Sequence, residues 1–255
     1  MRPYILTGAG ISLDSGIPTF RGNDPDAVWS KRALETGTRK YFLANPVESW
    51  LDYLASFISR SNCEPNKAHI LLSKLEEKSD SFTLVTQNVD GLHSKAGSKD
   101  VIEIHGAMRH VRCLRWPCKN AEPLGLLDFN PSDFDAFLSN PSQETIPKCS
   151  LCGEILRPHV LWFDESYDAH ASFRFSEAIS RVGESEIIIA IGTSLAVGIA
   201  QYIRDEAKWS KIPFVCVDPF LGKSPLKGVD LINQTAVDFL ESLLETGEVL
   251  GKKYL

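Results

Sequence analysis

Five short runs constrain this chain most: Tyr4–Thr7, Phe82–Thr86, Val101–Ile104, Ile187–Ile191 and Phe214–Val217. Each is rich in β-branched or aromatic residues and apolar on both faces, as strands in the middle of a parallel sheet must be. Helical periodicity fills the intervals, over Pro46–Ile58, Ala68–Glu77, Ser172–Val182, Ala200–Trp209 and Val237–Leu244. This alternation predicts an α/β fold, a Rossmann-type doubly wound parallel sheet with right-handed crossovers. Two segments stand outside the pattern: 22–64 reads as a helical module, and 109–159 carries four cysteines around a Pro- and Asp-rich middle. The expectation is a single domain over 1–255, in which 1–21, 65–108 and 160–255 build the sheet and the two excursions are modules set into it.

At 255 residues, 43% hydrophobic and 24% charged, the chain can bury a sizeable core. A formal net charge of −6 argues against nonspecific binding to nucleic acid and tolerates a basic partner such as a Lys-rich peptide. The longest apolar stretch, 187–200, is broken by Gly192, Thr193 and Ser194 and is too short to cross a bilayer. No charged-then-apolar leader follows Met1, so the expectation is a cytoplasmic protein with no membrane partner.

Cys113 and Cys118 form a C-x4-C pair, Cys149 and Cys152 a C-x2-C pair, and Cys63 and Cys216 stand alone. In an intracellular chain two such pairs read as a metal site rather than a disulfide framework. Four thiolates in two knuckles close a tetrahedral Zn²⁺ site with no open position, which makes the metal structural. The competing account is four unrelated buried cysteines.

Ligands of open parallel sheets bind outside the carboxyl ends of the strands. Four strand ends here carry polar clusters: Gly8-Ala9-Gly10-Ile11-Ser12, then Thr86-Gln87-Asn88-Val89-Asp90-Gly91-Leu92-His93, then His105-Gly106, then Gly192-Thr193-Ser194. The first glycines suit a tight turn that lets a phosphate approach the backbone, although Leu13 breaks the G-x-G-x-x-G fingerprint. Ordinary loop chemistry accounts for any one cluster, since Asn88 and Asp90 are common turn formers. Four together favour a shared site.

Taken in order, these residues resemble the sirtuin family of NAD-dependent protein deacylases. The likeness adds Ser15-Gly16-Ile17-Pro18 with Phe20-Arg21, the four cysteines, Arg157-Pro158-His159-Val160-Leu161-Trp162-Phe163-Asp164-Glu165, and runs to about Asp218. The resemblance implies NAD as co-substrate, held by Gly8, Ala9, Gly10, Ser12, Thr19, Phe20, Arg21, Gln87, Asn88, Asp90, Gly192, Thr193, Ser194 and Asp218. It implies that Asn88 and Asp90 line the nicotinamide pocket, that Gln87 holds the ribose hydroxyls, and that His105 is the general base. An imidazole with an ordinary pKa near 6.5 suits that task. The partner implied is an acyl-lysine protein or peptide, pairing as a strand with Val160-Leu161-Trp162-Phe163. Leu161 would offer its carbonyl to the acyl-lysine nitrogen and Phe163 would wall the acyl tunnel. The same aromatics otherwise read as a core strand. Expected products are free lysine, nicotinamide and O-acyl-ADP-ribose. His69 reads as packing or capping and His93 as support for a turn.

Three positions depart from the family pattern. Asp164 stands where glycine usually precedes Glu165, the usual proline after Gly192-Thr193-Ser194 is missing, and Asp218 stands where asparagine commonly meets the adenosine ribose. The Tyr-x-x-Arg of malonyl- and succinyl-preferring members is absent too: Tyr53 is followed at that spacing by Ser56, and Arg60 lies further along. An uncharged acyl group, acetyl above all, is expected. Two other readings stay open here, an NAD glycohydrolase or ADP-ribosyltransferase and a non-catalytic zinc- and nucleotide-binding module.

Overall fold

The computed structural model describes residues 1–19, 31–121, 125–196, 198–222 and 226–255. Strands β1 (Pro3–Thr7), β2 (Thr83–Thr86) and β3 (Val101–Glu103) open the main sheet. β4 (Gly106–Cys113), β5 (Leu127–Asp128) and β6 (Leu156–Val160) leave it for a smaller antiparallel sheet of order β5-β4-β6. β7 (Ile187–Ile191), β8 (Phe214–Val217) and β9 (Asp230–Ile232) then return. The main sheet is parallel throughout, in the order β3-β2-β1-β7-β8-β9. That is the Rossmann order, with its reversal between β1 and β7, where a ligand crevice opens.

Helices α1 (Lys31–Thr36), α2 (Arg39–Ala44) and α3 (Pro46–Ser61) precede α4 (Lys67–Lys78), and α5 (Leu92–Lys95) follows β2. α6 (Asp135–Ser139) belongs to the small sheet's excursion, α7 (Phe175–Ser180) and α8 (Gly198–Ser210) flank β7, and α9 (Ala236–Thr246) leads to a hairpin of β10 (Glu248–Val249) and β11 (Lys252–Lys253).

Alternation along each strand explains the apolar runs. Ile5, Leu84, Ile189 and Val215 face one core with Leu72 and Leu75 of α4 and Leu240 and Leu243 of α9. Tyr4, Leu6, Val85, Ile188 and Cys216 face the other, against Ala178 of α7 and Ile199 and Ile203 of α8. Each fully buried Leu or Ile adds roughly 1.5–3 kcal/mol of transfer free energy, so neither face tolerates a polar residue. A third core, mostly aromatic, joins α2 and α3 to the small sheet through Phe42, Trp50, Phe129, Phe134, Phe137 and Trp162.

The structure differs from expectation in four places. β4 begins at Gly106 and β6 ends at Val160, so the small sheet takes residues on both sides of 109–159. Gly106, at φ +84, brings the two strands together where an added Cβ would lie 2.2 Å from the His159 carbonyl oxygen. The single helix expected over Ser172–Val182 is instead a 3₁₀ turn, Ala171–Phe173, and α7. Arg174, at φ +54, breaks the helical path between them. The strand expected over 160–163 stops at Val160, and β9 joins the sheet as a sixth strand.

Candidate active site and metal centre

Two glycine loops meet at the reversal point. Gly10 N–H donates to the Gly192 carbonyl at 2.8 Å, and Gly8 N–H to Ile191 at 3.3 Å. A Cβ on Gly8 would stand 2.8 Å from Thr193, on Gly10 2.8 Å from the Gly192 oxygen, and on Gly192 2.4 Å from the Ile11 nitrogen. These glycines therefore let the β1 and β7 ends touch, a requirement that exists before any ligand arrives. Ala9 opens a 3₁₀ helix, Ala9–Ser15, that carries fully buried Ser12 into the crevice.

Ser12 is the hub of a polar chain. Its hydroxyl accepts from Asn88 Nδ2 at 3.0 Å and donates to Asp90 Oδ2 at 2.8 Å. Asn88 Nδ2 also reaches the Gly8 carbonyl at 3.1 Å, and Asp90 Oδ1 takes the Leu92 amide at 3.0 Å. Behind it, Asn88 N–H donates to Thr86 Oγ1, which accepts from Thr7 Oγ1 at 2.9 Å. Thr7 in turn contacts His93 Nε2 at 2.9 Å. Because Thr7 gives its own proton to Thr86, His93 must donate through Nε2. His93 thus supports the turn from below, and burial pushes its pKa down to about 3. His69 caps α4 in a reciprocal box with Asn66, whose Nδ2 holds the Ile11 carbonyl at 2.8 Å.

His105 follows β3. Its Nδ1 lies 2.9 Å from the Gln87 carbonyl, an oxygen that can only accept, so Nδ1 carries the proton and Nε2 the lone pair. Gln87 is itself anchored, with Nε2 3.0 Å from Thr193 Oγ1. Burial pushes the imidazole down to about 4, opposed by the Gln87 bond. It is therefore neutral and a ready acceptor at neutral pH, a stronger bias than the ordinary pKa near 6.5 expected from sequence. Sequence reasoning missed Tyr167, whose hydroxyl stands 3.5 Å from Nε2.

Leu161 N–H donates to the His105 carbonyl at 2.8 Å, Trp162 N–H to Glu165 Oε2 at 3.2 Å, and Phe163 N–H to the Gly37 carbonyl at 3.0 Å. Val160, which ends β6, gives its carbonyl to Arg157 at 2.9 Å. Among the described residues no donor engages the Leu161 carbonyl. Phe163 is half exposed. Asp164 turns away, accepting the amides of Arg39 and Lys40 at 2.6 and 3.1 Å at the start of α2. Arg157 pairs with Glu165 at 2.5 Å and lies 3.4 Å above the Trp162 ring, which pins this segment's far side.

Of the remaining expected ligands, Ser194 and Asp218 follow strand ends on the same edge of the sheet. Thr19 closes the first described stretch, Ser194 lies in the β7–α8 loop beside buried Thr193, and Asp218 follows β8. Asp218 Oδ1 accepts the Phe220 and Leu221 amides at 2.8 and 3.2 Å. Phe20 and Arg21 lie outside the described residues.

The cysteines form a separate centre at the far end of β4. Cys113, Cys118, Cys149 and Cys152 place their sulfurs within 4.8 Å of one another. Cys113 and Cys152 are 3.4 Å apart and Cys118 and Cys149 3.7 Å, too long for disulfides. Zn–S bonds of about 2.3 Å give a tetrahedron with edges of about 3.8 Å, so the set fits Zn²⁺. Burial resists ionisation of Cys149, but the Leu151 and Cys152 amides and Asn120 outweigh it and bring the thiol down to about 6. No helix among the described residues is long and apolar enough to cross a membrane.

Comparison with known proteins agrees with this geometry. The Sir2 family model matches residues 8–198. The NAD-dependent protein deacylase of Aquifex aeolicus is 41% identical over 217 residues, 84% of this chain and 82% of the relative. That of Aeropyrum pernix is 37% identical over 240 residues, 93% and 89% of the two chains. A solved Sir2 in complex with p53 peptide and NAD⁺ superposes with a TM-score of 0.74 at 30% identity, covering 96% of this chain and 92% of that one. A Sir2 homologue bound to NAD gives 0.75 at 33% identity, covering 96% and 88%. The family model's match spans the glycine loops, the small sheet and the four cysteines, and the chain belongs to the Sir2 family.

Proposed function

We propose that this chain is an NAD-dependent protein-lysine deacylase acting on acetyl or other uncharged acyl groups. The observation that carries the reading is the meeting of the Ser12–Asn88–Asp90 chain with a neutral, Nε2-accepting His105 at one end of the sheet. Sir2 relatives bear deacylase and deacetylase names, and solved Sir2 structures hold NAD or, with a deacetylated peptide, 3'-O-acetyl-ADP-ribose.

NAD, bound as co-substrate, supplies the ADP-ribose that accepts the acyl group. The Gly8–Gly10 and Gly192–Ser194 loops, with Thr19, Phe20, Arg21 and Asp218, would hold its phosphates and riboses. The Asp218 carboxylate suits ribose hydroxyls. Asn88 and Asp90 orient the nicotinamide end, their side chains fixed by Ser12 so that no reorganisation is needed as charge develops. Gln87, braced by Thr193, faces the ribose, and His105 Nε2 takes a proton from a ribose hydroxyl. The substrate lysine enters past Phe163, its nitrogen donating to the Leu161 carbonyl. Tyr53 spends its hydroxyl on Met108 O and Arg60 turns onto its own helix at Ser56 O, so this pair does not present the arginine an acidic acyl group would need, which supports the acetyl preference. Cys113, Cys118, Cys149 and Cys152 hold structural zinc. The free cysteines suit a reducing compartment, and a cytoplasmic address belongs to the same reading.

Product analysis tests it. NAD with an acetyl-lysine peptide should yield nicotinamide and O-acetyl-ADP-ribose together, and His105→Ala should lower that rate by about 10²–10⁴-fold. Nicotinamide released equally without peptide would instead make the enzyme an NAD glycohydrolase.

A further inference from the structure

His105 is held from two sides. On one, Nδ1–H is fixed to the Gln87 carbonyl. On the other, the Tyr167 ring lies nearly parallel to the imidazole, with centroids 5.9 Å apart and planes at 23°. The Tyr167 oxygen accepts the Ile199 amide of α8 at 3.0 Å. With that acceptor role filled, the phenol's own proton is free to point at the nearest lone pair, His105 Nε2, 3.5 Å away. Burial raises the Tyr167 pKa above its ordinary value, so the phenol stays a donor. Phe175 stacks on the ring at 5.2 Å and Tyr202 meets it edge-on at 6.1 Å, which leaves the phenol little room to swing.

Taking His105 as the base of the proposed deacylase, we propose that Tyr167 is a positioning residue for its imidazole. Its hydroxyl caps Nε2 in the resting chain and ties the ring to the first turn of α8. At 3.5 Å the cap is weak, so Nε2 can still take a ribose hydroxyl while the phenol, fixed by the Ile199 amide, goes on holding the ring. The β7–α8 loop also reaches His105 from the opposite side, through Thr193 Oγ1 and Gln87. Nδ1 thus answers to the Gln87 main-chain carbonyl, beside a side chain that Thr193 holds, and Nε2 to a phenol fixed by the first turn of α8.

Tyr167→Phe removes the hydroxyl and keeps the stacked ring. Histidine ¹⁵N spectra of the full chain at neutral pH, with His105→Gln for assignment, read the contact directly. The Nε2 resonance should move downfield in Tyr167→Phe as its donor is lost. In deacylation assays kcat should fall about two- to tenfold, the loss of one hydrogen bond, with KM for NAD and peptide within about twofold. A merely structural role would alter neither the Nε2 signal nor kcat at an unchanged KM. An unmoved Nε2 resonance, or an unchanged kcat, overturns the proposal. If the unsubstituted chain shows no peptide-dependent turnover, the deacylase reading falls by itself, and the ¹⁵N resonance alone decides whether Tyr167 caps His105.

Discussion

Gly192 shows how one residue can serve backbone and chemistry together. At φ +61 it occupies left-handed space, and the hydrogen it carries in place of a Cβ faces the Ile11 nitrogen. Gly192→Ala would force both a strained dihedral and a backbone clash, about 1–3 kcal/mol for the dihedral alone. The expected result is a lower denaturation midpoint and weaker NAD binding by calorimetry, because the same shift moves Thr193 away from Gln87. Unchanged affinity in a folded variant would show that the two loops need not touch. The resemblance made this glycine visible in the sequence. Its reason, contact between two strand ends whose touching residues Gly10 and Gly192 are 182 positions apart, was not visible, because spacing along a chain does not say which loops become neighbours. Tyr167 was invisible on the same ground. Strand-end position put His105, Asn88 and Asp90 among the candidates and the family resemblance singled them out, whereas Tyr167 enters from a loop after β6.

At the scale of elements, legibility follows burial. β7 and β8 were bounded correctly to the residue, since every side chain along them is buried. β9 escaped notice: three residues at a sheet edge, led by an exposed aspartate, give no apolar run. The break at Arg174 escaped as well, because apolar periodicity continues across it while only the backbone reverses. Asp164, where the family pattern has glycine, serves α2 as an acceptor for two amides, where a carboxylate also meets the positive end of the helix. The metal knuckles are the element most exposed to loss. Cys149 is buried and is one of four sulfurs within 4.8 Å of one another, so Cys149→Ser should drop bound zinc from one per chain to near zero and lower the melting midpoint by several degrees. Metal content by atomic emission alongside calorimetry checks this. A variant that kept its zinc and its midpoint would sink the assignment.

The whole molecule carries four histidines sealed inside it: His69, His93, His159 and His170. Burial, the largest cause at each, holds them at about 4, 3, 2 and 4. The unfolded chain takes up these protons near pH 6.5 and the folded chain refuses them. Stability is therefore full above about pH 6.5 and is lost as pH falls toward 4, by up to about 1.4 kcal/mol per pH unit for each histidine. Urea unfolding at about pH 7.5 and about pH 5 measures it; equal free energies at both would contradict neutral, sealed imidazoles.

The order of the main sheet has a further consequence during synthesis. β1 lies in the middle of the sheet, yet it leaves the ribosome 184 residues ahead of its partner β7, with which it is paired from Pro3↔Ile187 to Thr7↔Ile191. Until β7 has been translated, one edge of a wholly buried strand stays open. Such an edge invites pairing with neighbouring nascent chains on a polysome, and long-range closure of this kind is slow. Translation speed between β3 and β7, and chaperones that shelter emerging strands, should thus govern the yield of soluble protein more than any change in the finished site.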